Sequence, residues 1–360
     1  MFDYIFILPQ ISLRPIGGYK IVYEYSNRLT ELGYKVAIIH VRKKGKILVR
    51  RIKIDFLLAY NRIVLKKNLS WFPVANEIKF IELDEDKILL DDSIISNCYI
   101  ATAWDTAIIT KSLAERHTAG GLYLIQGYES WSASEEELFA TYRIGLKNIA
   151  VSKWLKGIVA DCGADCEYLP NSLDANTFYI SIAPELRLKH TILTMFHEAT
   201  LKGFADIVKS CKVVRENHPD ARFVAFGAYK SKGKVPEWMT YFHLPSQEVL
   251  RRLYNESTIF VSGSYSEGWG LAPTEAMQCG CALAITNIPG HEDFSKSGQY
   301  ALLSQPGDWQ GMALNILKLI NDDQLRLKLA KTGSEFVKQY NWTVAVEKFI
   351  QISLQDRANE

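Results

Sequence analysis

The sequence has no apolar run long enough for a membrane-spanning helix, and it has few cysteines for its 360 residues. A helix that crosses a bilayer needs about 18 apolar residues or more, so none is predicted. The six cysteines form no C-x-x-C pair and no disulfide-framework spacing, which favours reduced, mostly buried thiols. Asp3 stands where a secretory signal would carry positive charge. These absences predict a cytoplasmic protein.

The composition also lacks an excess of charge of one sign. The formal net charge is +2 over 360 residues, whereas a dedicated nucleic-acid-binding chain is usually far more basic. An apolar content of 48% and a charged content of 23% are ordinary for a globular protein. A chain of this length exceeds a comfortable single core, and two domains are therefore predicted.

What the sequence does have is a regular alternation of short apolar runs and helical patterns. Tyr4–Leu8 is a predicted buried strand, and a helix opens at Gly17-Gly18 and ends at Gly33. Residues 35–39 form the next predicted strand. Strand, loop, helix and strand in this order are typical of a parallel sheet with right-handed crossovers. Further strands are predicted at residues 98–103, 121–125 and 148–152.

The second half of the chain repeats this alternation, and the periodicity is lost between Pro170 and Lys189. We predict an N-terminal lobe (1–178), a C-terminal lobe (186–340) and a C-terminal helix (341–360) that returns to the first lobe. The two doubly wound α/β lobes are expected to face each other across a cleft lined by strand-end loops. Strands are predicted at 192–195, 222–226, 259–261 and 282–285, and helices at 203–217, 246–254, 272–279 and from 307 onwards.

The most informative segment is Ser264–Met277, which follows a predicted strand and leads into a helix. Gly268 and Gly270 allow the backbone to approach a ligand closely. The free N–H groups and the dipole at a helix start form a site for phosphate or sugar oxygens. Glu267 and Glu275 stand eight residues apart and can accept hydrogen bonds from hydroxyls of one long ligand. The alternative is structural, with Glu267 as a helix cap and Glu275 paired with a surface lysine.

This segment resembles the Glu-x7-Glu signature of family 4 of the retaining glycosyltransferases, which have the GT-B fold of two Rossmann-like lobes. Leu169–Asp174 is similar to that family's loop before the interdomain linker, with Ser172 where glycine is more usual. Val151–Leu155 looks like its preceding strand and helix start, and Gly17-Gly18 matches its N-terminal glycine pair. The resemblance extends over most of the chain.

The resemblance implies a nucleoside diphosphate sugar bound mainly by the C-terminal lobe. Glu275 would hold the ribose hydroxyls, and Glu267 would contact hydroxyls of the transferred sugar and take part in catalysis. The implied donor-binding residues are Gly17, Gly18, His197, Lys202, Gly227, Glu267, Gly268, Trp269, Gly270, Leu271 and Glu275.

A second group of candidates lies just after the predicted strand at 192–195. Relatives usually carry arginine and lysine five residues apart there, both on the diphosphate, so that cations replace a metal ion at the leaving group. Here Lys202 occupies the lysine position, where it would also contribute to catalysis, and His197 occupies the arginine position. Histidine lacks the arginine fork and is charged only if its pKa is raised, so a structural role for His197 is the alternative.

The N-terminal lobe carries less specific candidates. The predicted strand at 121–125 leads into the string Gln-Gly-Tyr-Glu at 126–129, which resembles a subgroup that builds bacterial surface polysaccharides. Gln126 and Glu129 are predicted to face the donor or acceptor sugar and to contribute to catalysis, and a polar strand-end loop is the alternative. Many relatives have a histidine near the reacting sugar, and this strand end has none.

Residues 42–67 hold ten basic side chains against one acidic side chain, Asp55, interleaved with apolar residues. Such a mixture can lie on an anionic membrane surface, where each basic residue contributes about 1 kcal/mol. The alternative is a solvated basic face that the acidic run from Glu77 to Asp92 partly neutralises. We predict peripheral contact with the inner face of the membrane.

The predicted function is transfer of a hexosyl group, with retention, from a nucleoside diphosphate sugar to a saccharide or lipid-linked saccharide in glycan or surface polysaccharide synthesis. No cofactor is predicted, and no metal, because no Asp-x-Asp sequence lies in a suitable loop. Two alternatives are a catalytically inactive homologue that binds sugar nucleotides or acts as a scaffolding subunit, and a nucleotide-sugar epimerase on the same fold.

Overall fold

The computed structural model describes residues 1–42 and 71–357 of the chain. These residues divide into two compact units, each built around one parallel sheet. The N-terminal unit contains Met1–Val151, Leu155–Leu169 and the segment that begins at Val346, and the C-terminal unit contains Ser152–Trp154 and Pro170–Ala345, both apart from the undescribed residues.

The strands of the N-terminal unit are β1 (Phe2–Leu8), β2 (Val36–Arg42), β3 (Lys79–Asp84), β4 (Ser96–Ala101), β5 (Gly120–Ile125), β6 (Lys147–Ala150) and β7 (Cys166–Tyr168). Within the described residues they form one sheet in the order β3-β2-β1-β4-β5-β6-β7, and every pair is parallel. Parallel strands are covered on both faces, which explains why β1 and β2 are almost continuously buried. The helices are α1 (Gly17–Glu31), α2 (Glu85–Ile88), α3 (Trp104–His117), α4 (Glu135–Tyr142) and α5 (Lys153–Asp161).

The strands of the C-terminal unit are β8 (Thr191–Met195), β9 (Arg222–Gly227), β10 (Met239–His243), β11 (Ile259–Ser262), β12 (Ala282–Thr286) and β13 (Ala301–Ser304). They pair in parallel in the order β10-β9-β8-β11-β12-β13. This order makes β11 the neighbour of both β8 and β12, so the loops that follow these three strands meet at one sheet edge. The helices are α6 (Phe204–Asn217), α7 (Gln247–Glu256), α8 (Leu271–Gln278), α9 (Trp309–Asn321), α10 (Asp323–Phe336) and α11 (Trp342–Arg357).

The last helix, α11, passes into the N-terminal unit at Val346. Phe349 is fully buried there, and its ring centroid lies 5.9 Å from that of Phe6 on β1 and 5.0 Å from that of Tyr25 on α1. Aromatic pairs at this distance stabilise the fold beyond the contribution of the apolar area that they bury. The C-terminal helix is therefore part of the core of the N-terminal unit.

The predicted fold class, two Rossmann-like units with parallel sheets, is confirmed. The predicted strand at 148–152 is too long, because β6 ends at Ala150 and Ser152 belongs to the C-terminal unit. That unit begins at Pro170, earlier than the predicted lobe end at 178, since the Leu173 N–H donates to the Tyr340 carbonyl at 2.9 Å. The strands that were not predicted are β3, β7, β10 and β13.

Several local predictions can be compared directly with the structure. The Ser246 hydroxyl accepts from the Val249 N–H at 3.2 Å, which confirms the predicted cap of α7. All six cysteines are free, and four of them are buried, as predicted. Within the described ranges, no helix combines the length and the apolar character that crossing a bilayer requires.

Candidate functional site

The candidate residues of the C-terminal unit collect in the loops that follow β8, β9 and β11. Ligands of open α/β sheets bind at this edge, outside the carboxyl ends of the strands. His197 and Lys202 follow β8, and Gly227 ends β9. The segment from Glu267 to Leu271 follows β11 and ends at the start of α8. The structure therefore brings most of the predicted donor-binding residues to one edge of one sheet.

Lys202 and Glu267 form the central contact of this edge. The Lys202 ammonium lies 2.6 Å from Glu267 Oε2, and the Ser264 hydroxyl donates to Oε1 at 2.8 Å. Burial alone would raise the pKa of Glu267, but the charge and hydrogen bond of Lys202, with help from Ser264 and His291, lower it overall. Glu267 is therefore ionised. It pairs with Lys202 and Ser264, whereas the alternative interpretation made it a helix cap.

Backbone contacts between the two loops hold this pair in place. Lys202 ends a 3₁₀ turn, and Gly203 follows it with φ of +62°. A Cβ at Gly203 would overlap the carbonyl oxygen of Gly263, so only glycine allows the loops to approach this closely. The Tyr265 N–H also donates to the Leu201 carbonyl at 2.8 Å.

The start of α8 lies four residues after Glu267 and begins with the backbone N–H groups of Leu271 and Ala272. Gly270 has φ of +104° and precedes Leu271, the first residue of the helix. The first N–H groups of a helix and its dipole favour an anion at this position. Trp269 contributes only its backbone, because its indole is 1% exposed and packs on Phe294 and Tyr340. The predicted anion site thus consists of main-chain groups from Gly268 to Leu271.

Glu275 lies one turn inside α8 and is 6% exposed. The hydroxyl of Tyr254 on α7 donates to Glu275 Oε2 at 3.2 Å. Burial and the nearby Glu275 raise the pKa of Tyr254 well above its usual value, so this hydroxyl stays protonated and keeps its donor role. Glu275 is a buried, oriented carboxylate, which differs from the alternative of a surface ion pair.

His197 differs from the arginine that it replaces. Its Nδ1 accepts the Ala199 N–H at 3.0 Å, and its ring packs edge-on against Tyr229. Burial, followed by the charge of Lys202, lowers the pKa of His197. His197 is therefore a neutral imidazole whose Nε2–H can donate one hydrogen bond, and it does not supply the second cation of the family pattern.

Gly227 has a structural reason to be glycine. A Cβ there would overlap the carbonyl oxygen of Phe196 and lie 3.0 Å from the Tyr241 hydroxyl. Close packing of the ends of β8 and β9 accounts for this residue. Contact of Gly227 with a donor stays a prediction.

His291 is a site residue that the sequence analysis missed. It ends the 3₁₀ turn Pro289–His291 after β12 and is fully buried. Its Nδ1 lies 3.0 Å from the Thr286 carbonyl, and its Nε2 has no hydrogen-bond partner in the described part of the chain. A Cβ at Gly270 would lie 2.9 Å from the imidazole, so this ring supports the start of α8. The sequence offered one signal for His291, which is its position in the loop after the strand predicted at 282–285.

The candidates of the N-terminal unit make contacts within that unit. A Cβ at Gly18, in the first turn of α1, would lie 3.3 Å from the Gln126 amide. The structure therefore places Gly18 beside Gln126, which directly follows β5. Glu129 instead accepts the Trp104 N–H at 2.8 Å, which caps the start of α3. This contact favours the alternative of a polar strand-end loop for Glu129.

Most of the basic segment 42–67 lies outside the described residues. Arg42 is described, and its guanidinium lies 3.0 Å from Asp84 Oδ1 at the end of β3. This ion pair matches the expected neutralisation by the acidic run from Glu77 to Asp92. Contact of the segment with a membrane stays a prediction.

Comparison with known proteins identifies the family of the C-terminal unit. Residues 183–336 match the family model of glycosyl transferases group 1. The capsular polysaccharide biosynthesis glycosyltransferase CapM of Staphylococcus aureus is 23% identical over 145 residues, which are 38% of this chain and 38% of that protein. The N,N'-diacetylbacillosaminyl-diphospho-undecaprenol alpha-1,3-N-acetylgalactosaminyltransferase of Campylobacter jejuni is 20% identical over 353 residues, 91% of this chain and 88% of that protein.

The crystal structure of HepE from Anabaena in complex with UDP and glucose is similar over 99% of this chain and 100% of that chain. The TM-score is 0.76 at 13% identity, a likeness that shows the GT-B fold. The chain spans less than two fifths of the length of three curated relatives, at 38%, 38% and 29%. The resemblance that the Glu-x7-Glu motif suggested is confirmed by the match of residues 183–336 to the group 1 glycosyltransferase model.

Proposed function

We propose that this protein transfers a hexosyl group, with retention, from a nucleoside diphosphate sugar to a hydroxyl of a saccharide or lipid-linked saccharide. Two relatives are named for capsular polysaccharide synthesis and for transfer to an undecaprenol-linked sugar, which supports a role in surface glycan synthesis. The observation that carries the proposal is the pairing of Lys202 with Glu267, at 2.6 Å, beside the start of α8.

The pair has the chemistry that a sugar diphosphate requires. A diphosphate at the start of α8 would compete with the Glu267 carboxylate for the Lys202 ammonium. The ammonium would then move towards the diphosphate oxygens. Glu267 would accept hydrogen bonds from hydroxyls of the hexose instead. Glu275 would accept the ribose hydroxyls, with Tyr254 fixing the orientation of the carboxylate. One lysine and two carboxylates thus account for three parts of the donor.

The reaction breaks the bond between the anomeric carbon and the diphosphate oxygen and forms a bond from that carbon to the acceptor oxygen. The diphosphate leaves with one more negative charge, and the proton of the acceptor hydroxyl passes to water. Lys202 and the N–H groups at the start of α8 would stabilise that charge, and His197 would add a neutral N–H donor. Positioning of donor and acceptor would supply the rest of the rate enhancement. We expect transfer in the presence of a chelator.

Donor binding is tested by thermal unfolding with UDP, GDP, ADP, dTDP and CDP in chelator. UDP leads the panel because HepE was crystallised with it. A nucleotide at 100 times its dissociation constant stabilises the folded state by about 2.7 kcal/mol, which raises the midpoint by roughly 5–11 °C for a unit of this size. Glu275→Gln keeps an oxygen for the Tyr254 hydroxyl and removes the charge. Glu248→Gln, at an exposed position of α7, is the matched control.

We expect one nucleotide to shift the wild-type chain and the Glu248→Gln variant, and to leave Glu275→Gln unshifted. Equal shifts in both variants would contradict the role of Glu275, and no shift with any nucleotide at millimolar concentration would remove the donor site. Transfer is then assayed with the matching nucleotide sugar, and product configuration is read from the anomeric proton coupling. Donor binding without turnover on any acceptor would support the inactive homologue, and an isomer formed from donor alone would support an epimerase.

A further inference from the structure

A cluster of two histidines and one aspartate lies at the other end of β8 and β9 from the candidate donor site. His190 directly precedes β8, His218 follows the end of α6, and Asp220 lies two residues before β9. One ligand atom from each side chain lies within 4.8 Å of the other two. The five residues of β8 separate this cluster from the strand-end loops by about 16 Å along the strand.

The backbone fixes the three positions relative to one another. The Arg222 N–H donates to the His190 carbonyl at 2.8 Å, as the first bond of the β8–β9 ladder. The His218 N–H donates to the Val214 carbonyl on α6, and the Ala221 N–H donates to the His218 carbonyl at 3.0 Å. The side chains are therefore held on a strand start and a tight turn, both anchored in regular structure.

The side chains themselves match the preferences of a borderline divalent ion. His190 Nδ1 lies 2.9 Å from Asp220 Oδ2, and the two imidazole centroids are 5.4 Å apart. Two imidazoles and a carboxylate suit zinc, whose ligands stand about 3.3 Å apart at tetrahedral geometry. Asp220 is 70% exposed, so its side chain can rotate to close the remaining gap and a water can complete the set.

We propose that His190, His218 and Asp220 form a zinc-class transition-metal site that fastens the turn between α6 and β9 to the start of β8. The neighbouring cation, Lys189, is engaged by Asp323, the first residue of α10, which limits its repulsion of the ion. A metal ion that binds the folded chain and not the unfolded chain stabilises the C-terminal unit. The site is independent of the proposed transfer reaction.

The test uses a full-length chain without a histidine tag, stripped of metal by chelator, titrated with Zn²⁺ against a fluorescent chelator. Variants are His218→Asn, Asp220→Asn and His190→Asn, the last because asparagine tolerates the φ of +58° at this position. His243→Asn is the matched control, since it removes an exposed histidine of the same unit. Co²⁺ serves as a second probe, because its visible absorption reports tetrahedral ligation.

We expect the wild-type chain and His243→Asn to bind one equivalent of Zn²⁺ with equal affinity, and each cluster variant to bind at least about tenfold more weakly. Zn²⁺ should raise the thermal midpoint of the first two proteins without changing their nucleotide response. Equal Zn²⁺ affinity in the wild type and in His218→Asn, or no binding to the wild type at micromolar excess, overturns the proposal. Equal circular dichroism and equal midpoints in chelator establish that the variants are folded.

Discussion

The carboxyl ends of the two parallel sheets carry polar groups of different kinds. In the C-terminal unit, charged side chains are paired with one another across loops, with Lys202 at 2.6 Å from Glu267. In the N-terminal unit, two polar side chains at the strand ends are bonded to the backbone. Glu129 accepts the Trp104 N–H at 2.8 Å, and the Thr102 hydroxyl donates to the Ile7 carbonyl at 2.8 Å.

This difference separates groups that a ligand can take over from groups that the fold requires. A charged ligand can replace one member of a side-chain ion pair, because the other member gains a new partner at the same time. A side chain that caps a helix cannot leave without removing the acceptor of an N–H group at the helix start. The proposed donor chemistry therefore rests on the C-terminal unit, whereas the N-terminal unit gives little information on the proposed acceptor.

The largest expected effect comes from Lys202→Met, which removes the cation of the C-terminal edge. The turnover number should fall by a factor on the order of 10²–10³, because the charge of the leaving diphosphate loses one stabilising group. Lys234→Met is the matched control, since this lysine pairs with Glu198 at the surface of the same unit. Steady-state rates at saturating nucleotide sugar measure both variants.

The same substitution leaves the buried Glu267 carboxylate without its cation, so the pKa of Glu267 should rise. The acid limb of the pH–rate profile then moves to higher pH in Lys202→Met and stays in place in Lys234→Met. Equal turnover in the two variants would contradict the assignment of Lys202 to the leaving group.

The next largest effect concerns His40, a buried group of the N-terminal unit near the end of β2. Burial lowers the pKa of His40 to about 4 from 6.5, against a hydrogen bond to the Pro9 carbonyl that raises it. The folded state therefore keeps His40 neutral, while the unfolded chain binds a proton below pH 6.5. The contribution of His40 to the free energy of unfolding is fully present above that pH. It should fall by about 3 kcal/mol as the pH drops to 4.

Denaturant unfolding at a series of pH values measures this loss. His40→Phe keeps an aromatic ring near Tyr19 and Phe80 and cannot titrate, so its stability should depend less on pH over this range. His243→Gln removes an exposed histidine of the other unit and serves as the control. If His40→Phe and the wild type lose stability in parallel, His40 is not the group responsible.

Local signals predicted the elements that carry the site, but not how the site is assembled. The glycines and Pro273 placed the helix at 272–279, and α8 spans Leu271–Gln278. The contact between Lys202 and Glu267 joins residues 65 positions apart and depends on β8 being the neighbour of β11. Apolar periodicity indicates that strands exist and says nothing of their order, so this ion pair could not be derived from the sequence.

Two edge strands and one site residue were not predicted, because each lacks a local sequence pattern. The strands β3 and β10 lie at sheet edges and are only partly buried, so they lack the continuous apolar run of a central parallel strand. His291 was missed because a single histidine in a loop gives no pattern, and its role appears only when β12 lies beside β11. The neutral state of His197 depends on its burial and on the charge of Lys202, and no motif specifies either.

The smallest expected effect distinguishes a helix cap from a substrate contact at Glu129. Glu129→Ala removes the acceptor of the Trp104 N–H, and loss of a cap costs about 1 kcal/mol of folding free energy. Glu129→Gln keeps an oxygen at that position and should cost less. If Glu129 serves as a cap, both variants should keep the wild-type turnover number and Michaelis constant at temperatures where they are folded.

A contact with the sugar would give the opposite pattern, because the carboxylate charge would then matter more than the cap. Glu129→Gln would lose turnover nearly as strongly as Glu129→Ala, although its stability is closer to that of the wild type. Denaturation midpoints and rates measured on the same samples separate the two cases. A loss of rate in Glu129→Gln would show that the N-terminal unit also carries a charged group that a ligand engages, and the contrast between the two sheet edges would no longer hold.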